Sequence, residues 1–442
     1  MLYPNFKIDK PIRIIELFGG YGSQLLALKY LGVKVEQWKL CEWAVKSIQA
    51  YKDLHCGDDN KDYSKNLSIE EIKDYLFNKG ISSNYNDPMT KEQVNRLNEK
   101  QVRTIYNNIQ ATHNLVNIQQ VKGSDLCIKD TDRFTYLLTY SFPCQDLSLA
   151  GKGKGMSDTT TRSGLLWEVE RILSELEEKP QVLLMENVPQ VHGEGAKEDF
   201  NRWQLRLEEL GYKNYWKDLI ATDYGIPQTR NRTFMVSILG DYNYTFPKTE
   251  PLKLKLKDML EDEVDEKYFL SDAMINYVSS RMPAGDNKIT TGISVGNRDS
   301  LTKAATLCTT GGENNGVVVN MKVELCNNLI KEGKVKENDV IRHSYTTSRN
   351  EDWDKRSVEQ NNLSPTLDTR CDCLGVCVDK HNMNSNLRIR KLTPRECFRL
   401  MGVKDEDFDK VAKNQSDSSL YHLAGDSIVV NVLMAIFKEM MN

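Results

Sequence analysis

Residues 12–23 read IRIIELFGGYGS, and this stretch decides the predicted fold. Its first seven residues form a short apolar run rich in β-branched side chains, which is typical of a buried strand. Glycines follow at once, and Ser23 then opens an apolar-periodic segment that continues to Leu31. A strand, a tight turn and a helix in this order indicate the opening of a doubly wound α/β sheet.

The same alternation continues along the chain. Apolar runs predict further strands at residues 35–41, 134–141, 181–186 and 233–239. Periodic segments predict helices at residues 44–52, 164–178, 197–210, 394–401 and 427–441. Strands that alternate with helices imply a mostly parallel sheet, in which ligands bind at the carboxyl ends of the strands.

Two regions interrupt this alternation. Residues 57–120 are polar, with helix-like pieces at 68–79 and 91–110, and we predict an insertion packed on the edge of the sheet. Residues 243–387 contain short strand-like pieces among Gly, Asn and Thr, which predicts a second, smaller β-rich domain. We therefore expect a first domain at 1–242, a second at 243–387, and a return to the first at 388–442.

The composition excludes some classes of protein. The 442 residues are 39% hydrophobic, and no stretch reaches the ~18 apolar residues that a membrane span needs. The first ten residues lack the apolar core of a signal peptide, so we expect a cytoplasmic protein. We interpret the cysteine cluster Cys371, Cys373 and Cys377 as part of a strand rather than a zinc site, because paired C-x2-C units are missing. No metal is predicted, and the net charge of −4 neither indicates nor excludes DNA binding.

The first candidate site is a cofactor site at the glycine turn. Phe18, Gly20, Gly22 and Ser23 would bring backbone and a helix N-terminus close to a ligand. The dinucleotide fingerprint is incomplete, since Leu25 stands where the third glycine belongs. After the second strand, Glu42 could bind ribose hydroxyls and Trp43 could stack on an adenine, and Asp125, after a third strand, could meet the adenine amino group. Each of these residues alone could equally be a surface or core residue. Together they predict an adenosine-type ligand.

The second candidate site surrounds Cys144. This cysteine lies just past a buried strand, where active sites occur in open α/β sheets. Glu186 ends the next strand, so its carboxylate should lie near Cys144. Arg230 and Arg232 lead into a later strand, and because side chains alternate along a strand, both should point to the same face. The glycine-rich stretch 149–162 could close as a lid, or it could be an ordinary solvated loop. Four of its residues could meet a phosphate or cover the site: Lys152, Lys154, Ser157 and Arg162.

These motifs occur in the order seen in the C5-cytosine DNA methyltransferases. The chain resembles that family in Phe-x-Gly-x-Gly, Pro-Cys-Gln, Glu-Asn-Val and Gln-x-Arg-x-Arg, and in its last two motifs at 390–397 and 424–428. The resemblance covers 11–56, 121–240 and 388–442, and SFPCQDLS with TRSGLLWE looks most like the mollicute-type members. One departure is Asp426, where the family usually has Asn.

The resemblance implies S-adenosylmethionine as the cofactor and double-stranded DNA as the substrate. Cys144 would add to C6 of a flipped-out cytosine, Glu186 would act at N3 through a raised pKa or a shared proton, and Arg232 with Arg230 would hold O2. It also implies cofactor contacts from four further residues: Leu126, Pro143, Asp426 and Ser427. Residues 243–387 would be the target-recognition domain, with Arg298, Arg342, Arg349 and Arg370 available for guanine edges or phosphates.

Several alternatives remain open. A C5-cytosine RNA methyltransferase of the tRNA type uses the same motifs, although the length of 243–387 argues against it. A catalytically idle DNA-binding relative is disfavoured by the intact motifs, and a nicotinamide dehydrogenase by the missing third glycine. We expect a monomer, with a cognate restriction endonuclease as a possible partner. The role of 57–120 and the target sequence are not predicted.

Overall fold

The computed structural model describes residues 3–143, 163–269, 340–342, 374–378 and 388–441. Several candidate residues lie outside these ranges: Cys144, Lys152, Lys154, Ser157, Arg162, Arg298, Arg349 and Arg370.

Six strands of the described residues form one sheet in the order β2-β1-β3-β4-β6-β5. They are β1 (Ile12–Leu17), β2 (Val35–Cys41), β3 (Thr135–Tyr140), β4 (Val182–Asn187), β5 (Tyr212–Ile220) and β6 (Asn231–Leu239). Strand β1 pairs in parallel with β2 and β3, and β3 pairs in parallel with β4. Strand β6 is antiparallel to both β4 and β5. The predicted mostly parallel α/β sheet is therefore confirmed.

Helices cover both faces of this sheet. They are α1 (Ser23–Tyr30), α2 (Val45–His55), α3 (Ile69–Lys79), α4 (Lys91–Asn95), α5 (Glu99–Ala111), α6 (Leu166–Ser174), α7 (Lys197–Glu209), α8 (Pro394–Leu400), α9 (Asp405–Ala412), α10 (Asp417–Asp426) and α11 (Val430–Glu439). Short 3-10 turns lie at Ile118–Gln120, Gly123–Leu126, Ser163–Leu165, Pro189–His192, Ala221–Tyr224, Leu256–Met259 and Glu266–Tyr268.

Strand alternation distributes the core between the two faces. Ile14, Leu137 and Leu184 lie in the same apolar cluster as residues of α1 and α11. Their neighbours Ile15 and Leu138 lie in a second cluster with residues of α6 and α7. Strands β3 and β4 are buried along their whole length, which explains why their sequences are continuous apolar runs rather than alternating ones.

The predicted insertion 57–120 forms helices α3, α4 and α5, as its periodicity suggested. Each helix begins with a capping box: Ser68 with Glu71, Thr90 with Gln93, and Asn98 with Gln101. These helices share a separate apolar cluster with Ile48 of α2. Bridges from Asn114 to Leu40 and from Ser82 to Ala44 attach the insertion to β2, the edge strand, and to the residues that follow it.

Within residues 243–387 the structure describes the segment 243–269 and two short strands. Strand β7 (Val340–Arg342) pairs with β8 (Leu374–Val378), and β8 pairs with β9 (Arg388–Lys391), both antiparallel. The strand predicted around the cysteine cluster is therefore confirmed over Leu374–Val378, while Cys371 and Cys373 lie outside the described residues. Arg342 lies in β7.

Three elements were not predicted, and the bounds of two predicted helices were wrong. Strand β5 was not predicted, and neither were α9 and α10. The helix expected over 164–178 is a 3-10 turn followed by α6, which ends at Ser174. The helix expected over 427–441 begins only at Val430, because Ser427 and Val429 have extended backbone and separate α10 from α11.

One apolar stretch is longer than we expected. Residues Asp417–Glu439 include an 18-residue window with a mean hydropathy of 1.6, which satisfies a membrane span by length and composition. However, this stretch is α10 followed by α11, and 67% of the window is buried inside the protein. It is a core segment in this structure.

Candidate active site

The glycine turn after β1 has the conformation that its sequence requires. Gly20 has φ +55° and Gly22 has φ +84°, values that side chains with a Cβ rarely adopt. A Cβ on Gly22 would lie 2.5 Å from His55 Nε2, whereas a Cβ on Gly20 would meet nothing within 4 Å. Gly22 is therefore required by packing, and open space lies beside Gly20. Phe18, which precedes the turn, also has a positive φ, of +57°.

Residues of helix α2 pack against the glycine turn and support it. His55 Nε2 lies 3.0 Å from the carbonyl oxygen of Tyr21 and 3.1 Å from that of Gly22. Burial lowers the pKa of His55 well below 6.5, so the imidazole is neutral and can donate to these carbonyl groups. Tyr51 donates to the carboxyl group of buried Glu16, whose other oxygen accepts the N–H of Leu25 in α1. This support was not predicted from the sequence.

Glu42 is held by backbone N–H groups at the end of β2. One carboxyl oxygen accepts from Gly20 at 3.0 Å, and the other accepts from Ala44 at 2.7 Å. Burial raises the pKa of the Glu42 carboxyl to about 7, although these backbone hydrogen bonds oppose the rise. The Asn114 side chain bonds both the N–H and the carbonyl of Glu42, at 3.0 and 2.8 Å. The structure thus brings Glu42 to the glycine turn, with half-buried Trp43 beside it.

Asp125 is placed differently from our expectation. It lies in the 3-10 turn Gly123–Leu126, is exposed, and accepts the N–H of Lys122 at 2.9 Å. The segment before it makes one bridge to β2 and is not a strand, so the third strand that we placed before Asp125 was wrong. Leu126 is fully buried, and its carbonyl oxygen accepts from Trp38.

Glu186 lies at the carboxyl end of β4 with only 5% of its surface exposed. Arg232 Nε is 3.2 Å from one of its carboxyl oxygens, and the Ser141 hydroxyl donates to the other. The next residue, Asn187, donates from Nδ2 to the carbonyl oxygen of Phe142 at 3.0 Å. Side chains therefore join the end of β4 to the residues after β3 as far as Phe142, two residues before Cys144.

Arg230 is placed apart from the Glu186–Arg232 pair. Its Nη2 donates to the carbonyl oxygens of Gly425 and Ser427 at 3.0 and 2.8 Å, and only 4% of the residue is exposed. The two arginines therefore have different partners. Arg230, just before β6, contacts the C-terminal segment, and Arg232, within β6, contacts Glu186.

The C-terminal segment completes the glycine-turn site. Buried Tyr21 lies beside the hydroxyl groups of Ser23 and Ser427, and burial raises the pKa of its phenol. Ser427 itself donates to the carbonyl oxygen of Ala424 at 2.9 Å. Asp426 is 44% exposed at its side chain, and one of its carboxyl oxygens lies 2.9 Å from His422 Nε2. Phe18, Glu42, Asp426 and Ser427, which are distant in sequence, thus belong to one region.

Two groups of contacts at the site were not identified from the sequence. Ser141 and Asn187 stand inside the quoted motifs, so their polar side chains at strand ends were an available signal. Nothing in the local sequence indicated His55, because its role depends on a helix packing beneath the turn. In the described part of the chain, no group of three or more His, Cys, Asp or Glu side chains could hold a metal ion.

Solved structures show the fold. The Schizosaccharomyces pombe Dnmt2 methyltransferase matches with a TM-score of 0.53 and 16% identity, covering 98% of each chain. The Entamoeba histolytica methyltransferase EhMeth matches with a TM-score of 0.52 and 14% identity, again covering 98% of this chain and 98% of that chain. These two methyltransferases share their α/β fold with this chain.

Sequence relatives are more informative about the family. Type II methyltransferase M2.ScrFI of Lactococcus lactis subsp. cremoris is 31% identical over 435 residues, covering 97% of this chain and 99% of that protein. Orphan methyltransferase M.SssI of Spiroplasma monobiae is 38% identical over 271 residues, covering 60% of this chain and 69% of that protein. The family model of the C-5 cytosine-specific DNA methylases matches residues 78–442. The chain therefore belongs to the C-5 cytosine-specific DNA methylase family and is a DNA (cytosine-5)-methyltransferase.

Proposed function

We propose that this enzyme methylates C5 of a cytosine flipped out of a specific duplex sequence, through a covalent bond between that cytosine and Cys144. The observation that supports this most strongly is the group at the end of β4. There Glu186 contacts both Arg232 and Ser141, beside the segment that leads to Cys144. A carboxyl group and a guanidinium in direct contact can together bind two neighbouring polar atoms on one edge of a base.

The cytosine ring offers such a pair of atoms. C5 is a weak nucleophile, and addition of the Cys144 thiolate to C6 forms an S–C6 bond and moves electron density onto C5, N3 and O2. Arg232 balances the charge that develops on O2, and Glu186 donates a hydrogen bond or proton to N3. Because Glu186 is buried and Arg232 is half-buried, their effect on developing charge is stronger than it would be in water.

The remaining steps restore the base and the enzyme. S-adenosylmethionine supplies an electrophilic methyl group when it is bound. C5 accepts the methyl group, a base then removes the C5 proton, and the electrons of that C–H bond re-form the C5–C6 double bond. The S–C6 bond breaks, and Cys144 leaves as a thiolate. Flipping the base costs about a few kcal/mol, which contacts in the pocket must offset.

The residues of the glycine-turn site fit S-adenosylmethionine. Gly20 has open space where a side chain would otherwise stand, so a ligand can approach its backbone. Glu42 provides a carboxyl group at the end of β2, where ribose hydroxyls bind in related α/β sheets. Ser23 opens α1, whose N-terminus favours negative charge such as a carboxylate. Phe18, Gly22, Trp43, Asp125, Leu126, Pro143, Asp426 and Ser427 remain our further candidates for contacts.

Arg230 has a supporting function in this proposal. Its two contacts with the carbonyl oxygens of Gly425 and Ser427 hold the C-terminal segment against the start of β6. We assign the direct contact with O2 to Arg232, and we assign to Arg230 the fixing of the segment that carries Ser427. Both arginines are then needed, but for different properties of the enzyme.

DNA recognition is assigned to two other segments. Residues 243–387 lie between the parts that carry the motifs, and we propose that they are the target-recognition domain, with Arg298, Arg342, Arg349 and Arg370 as candidate DNA contacts. Lys152, Lys154, Ser157 and Arg162 would contact phosphates near the flipped base. We further propose a monomer in the cytoplasm of a bacterial or phage-infected cell, with a cognate restriction endonuclease as a candidate partner.

Trapping with 5-fluorocytosine DNA tests the covalent step. Fluorine at C5 cannot be removed as a proton can, so the adduct should persist after methyl transfer. We expect a covalent protein–DNA complex that requires S-adenosylmethionine and is absent in Cys144→Ala. Cys127→Ala is the matched control, since Cys127 is an exposed cysteine outside the motifs. Absence of an adduct in the wild type that methylates ordinary DNA would refute the mechanism.

Chimeras test the recognition domain. Exchange of residues 243–387 with those of a relative of different specificity should change the methylated sequence, as read by bisulfite sequencing of host DNA. An unchanged methylation pattern would refute the assignment. Methyl transfer to tRNA in place of duplex DNA would instead support the RNA alternative.

A further inference from the structure

The insertion 57–120 carries a turn that reaches the proposed cofactor site. Ser82 forms a parallel bridge with Ala44, two residues after Glu42. Its N–H donates to the carbonyl oxygen of Trp43 at 2.8 Å, and its own carbonyl accepts from Val45 at 2.9 Å. The backbone of the insertion is therefore fixed directly to the segment that follows Glu42 and Trp43.

Local polar contacts then shape the turn. Asn84 Oδ1 accepts the N–H groups of Asn86 and Asp87 at 2.9 and 3.0 Å, and the Ser82 hydroxyl donates to the carbonyl oxygen of Asp87 at 2.7 Å. Between them Tyr85 has φ +64°, a left-handed backbone conformation that is uncommon for a bulky residue. Such a conformation persists only where the surrounding contacts maintain it, and it is found most often at functional sites.

The strained turn directs Tyr85 toward the C-terminal segment. The Tyr85 ring lies 3.7 Å from the His422 ring, centroid to centroid, with 37° between their planes. His422 Nε2 in turn lies 2.9 Å from a carboxyl oxygen of Asp426. The Tyr85 phenol lies beside Ser47 and Ser419 and near the carboxyl groups of Glu42 and Asp426. Tyr85 therefore packs on His422 and lies near both acids of the proposed cofactor site.

We propose that Tyr85 is a positioning residue of the cofactor site, through which the insertion holds Glu42 and the His422–Asp426 pair in their binding geometry. This inference rests on the proposed cofactor site. It also assigns a function to the insertion, which lies outside the motifs. The insertion would cover the cofactor site between the end of β2 and α10. Tyr85 acts on the cofactor through its neighbours, so its loss should weaken cofactor binding without affecting DNA binding.

The test compares three variants by calorimetric titration with S-adenosylmethionine and with S-adenosylhomocysteine. Tyr85→Asn removes the ring and keeps a residue that tolerates the left-handed backbone. Tyr85→Phe keeps the ring contact with His422 and removes the hydroxyl group. Tyr63→Asn is the matched control, because Tyr63 lies in the same insertion and its hydroxyl contacts Asp59 instead.

We expect Tyr85→Asn to raise the Kd of both ligands by about tenfold, the size of effect that loss of one aromatic pair produces. The KM for DNA and the Tm of the unliganded protein should match those of Tyr63→Asn, and Tyr85→Phe should bind within about threefold of the wild type. Equal Kd values for Tyr85→Asn and Tyr63→Asn would overturn the proposal. A wild type that binds neither ligand would instead refute the proposed cofactor site.

If Tyr85→Asn does not fold, hydrogen exchange of the wild-type protein decides the question. S-adenosylmethionine should slow exchange at the amides of residues 82–87 as well as at residues 42–45. Slowed exchange at 42–45 without any change at 82–87 would overturn the proposal.

Discussion

The two ends of the proposed active site are built differently. At the glycine turn, the backbone conformation and a carboxyl group held by backbone N–H groups define the site. At the end of β4, the site consists of side chains that contact one another, namely Glu186, Arg232 and Ser141. We infer that substitutions at the turn should affect folding and cofactor binding together. Substitutions at β4 should affect the reaction with little effect on either.

The sharpest test of this difference is Glu186→Gln, which keeps the shape of the side chain and removes its proton and charge. We expect the single-turnover rate of methyl transfer to duplex DNA to fall by about 10²–10⁴-fold, the usual contribution of a positioned acid or base. The Kd for S-adenosylmethionine should stay unchanged. Glu170→Gln on α6 is the control, since that carboxyl group pairs with Arg206. A rate like that of the control would contradict the role of Glu186.

The two arginines at the start of β6 provide the second test. Arg232→Lys should lower the single-turnover rate by about 10²-fold, because lysine cannot reproduce the guanidinium geometry near Glu186. Arg230→Lys should instead lower the free energy of unfolding by about 2–4 kcal/mol, since it leaves buried carbonyl groups of Gly425 and Ser427 without their donor. Urea unfolding and rapid-quench kinetics measure the two effects. Identical profiles for both variants would contradict the separate assignments.

The glycine turn itself can separate packing from ligand approach. Gly22→Ala places a Cβ 2.5 Å from His55 Nε2 at φ +84°, so we expect a loss of about 1–3 kcal/mol in the free energy of unfolding. Gly20→Ala meets open space and should cost only about 1 kcal/mol of backbone strain, yet it should weaken S-adenosylmethionine binding. Thermal unfolding and titration with the cofactor distinguish the two. Normal cofactor binding by Gly20→Ala would argue against ligand approach at this position.

The last prediction concerns pH. The pKa of Glu42 is raised from 4.5 to about 7 in the folded protein, so the folded state keeps a proton that the unfolded state has lost. The stability associated with that proton is fully present below pH 4.5 and is lost as the pH rises through about 7. Glu42→Gln should therefore become more stable relative to the wild type across this window. Urea unfolding at several pH values measures the difference, and a constant difference would contradict the shifted pKa.

Much of the central sheet was predictable, because β1, β3 and β4 are short runs of apolar residues that end at glycine or polar motifs. Strand β5 was missed since it pairs on one side only and lacks an apolar run: of its residues only Tyr212 and Leu219 are buried, and Trp216 is 43% exposed. The position of Glu186 at the end of β4 followed from its apolar run, whereas its contact with Arg232 depends on β6 running antiparallel beside β4. The placement of Arg230 did not, because it depends on carbonyl groups almost two hundred residues away in the sequence.

The C-terminal segment shows the same limit. The apolar period over 427–441 predicted one helix, but the carbonyl of Ser427 bonds Arg230 and helical structure begins only at Val430. The contact between Tyr85 and His422 was likewise not visible in the sequence, since no local pattern relates the insertion to α10. Tertiary contacts decided both outcomes.

The capping boxes of the insertion have a consequence for the order of folding. Helices α3, α4 and α5 carry their own start signals and share their own apolar cluster, so most of their contacts are local in sequence. Strand β1, by contrast, must wait for its partner β3, which begins only at Thr135. Since local contacts form faster than distant pairings, we expect these helices to assemble while the nascent chain is still being synthesised, before the parallel sheet can close.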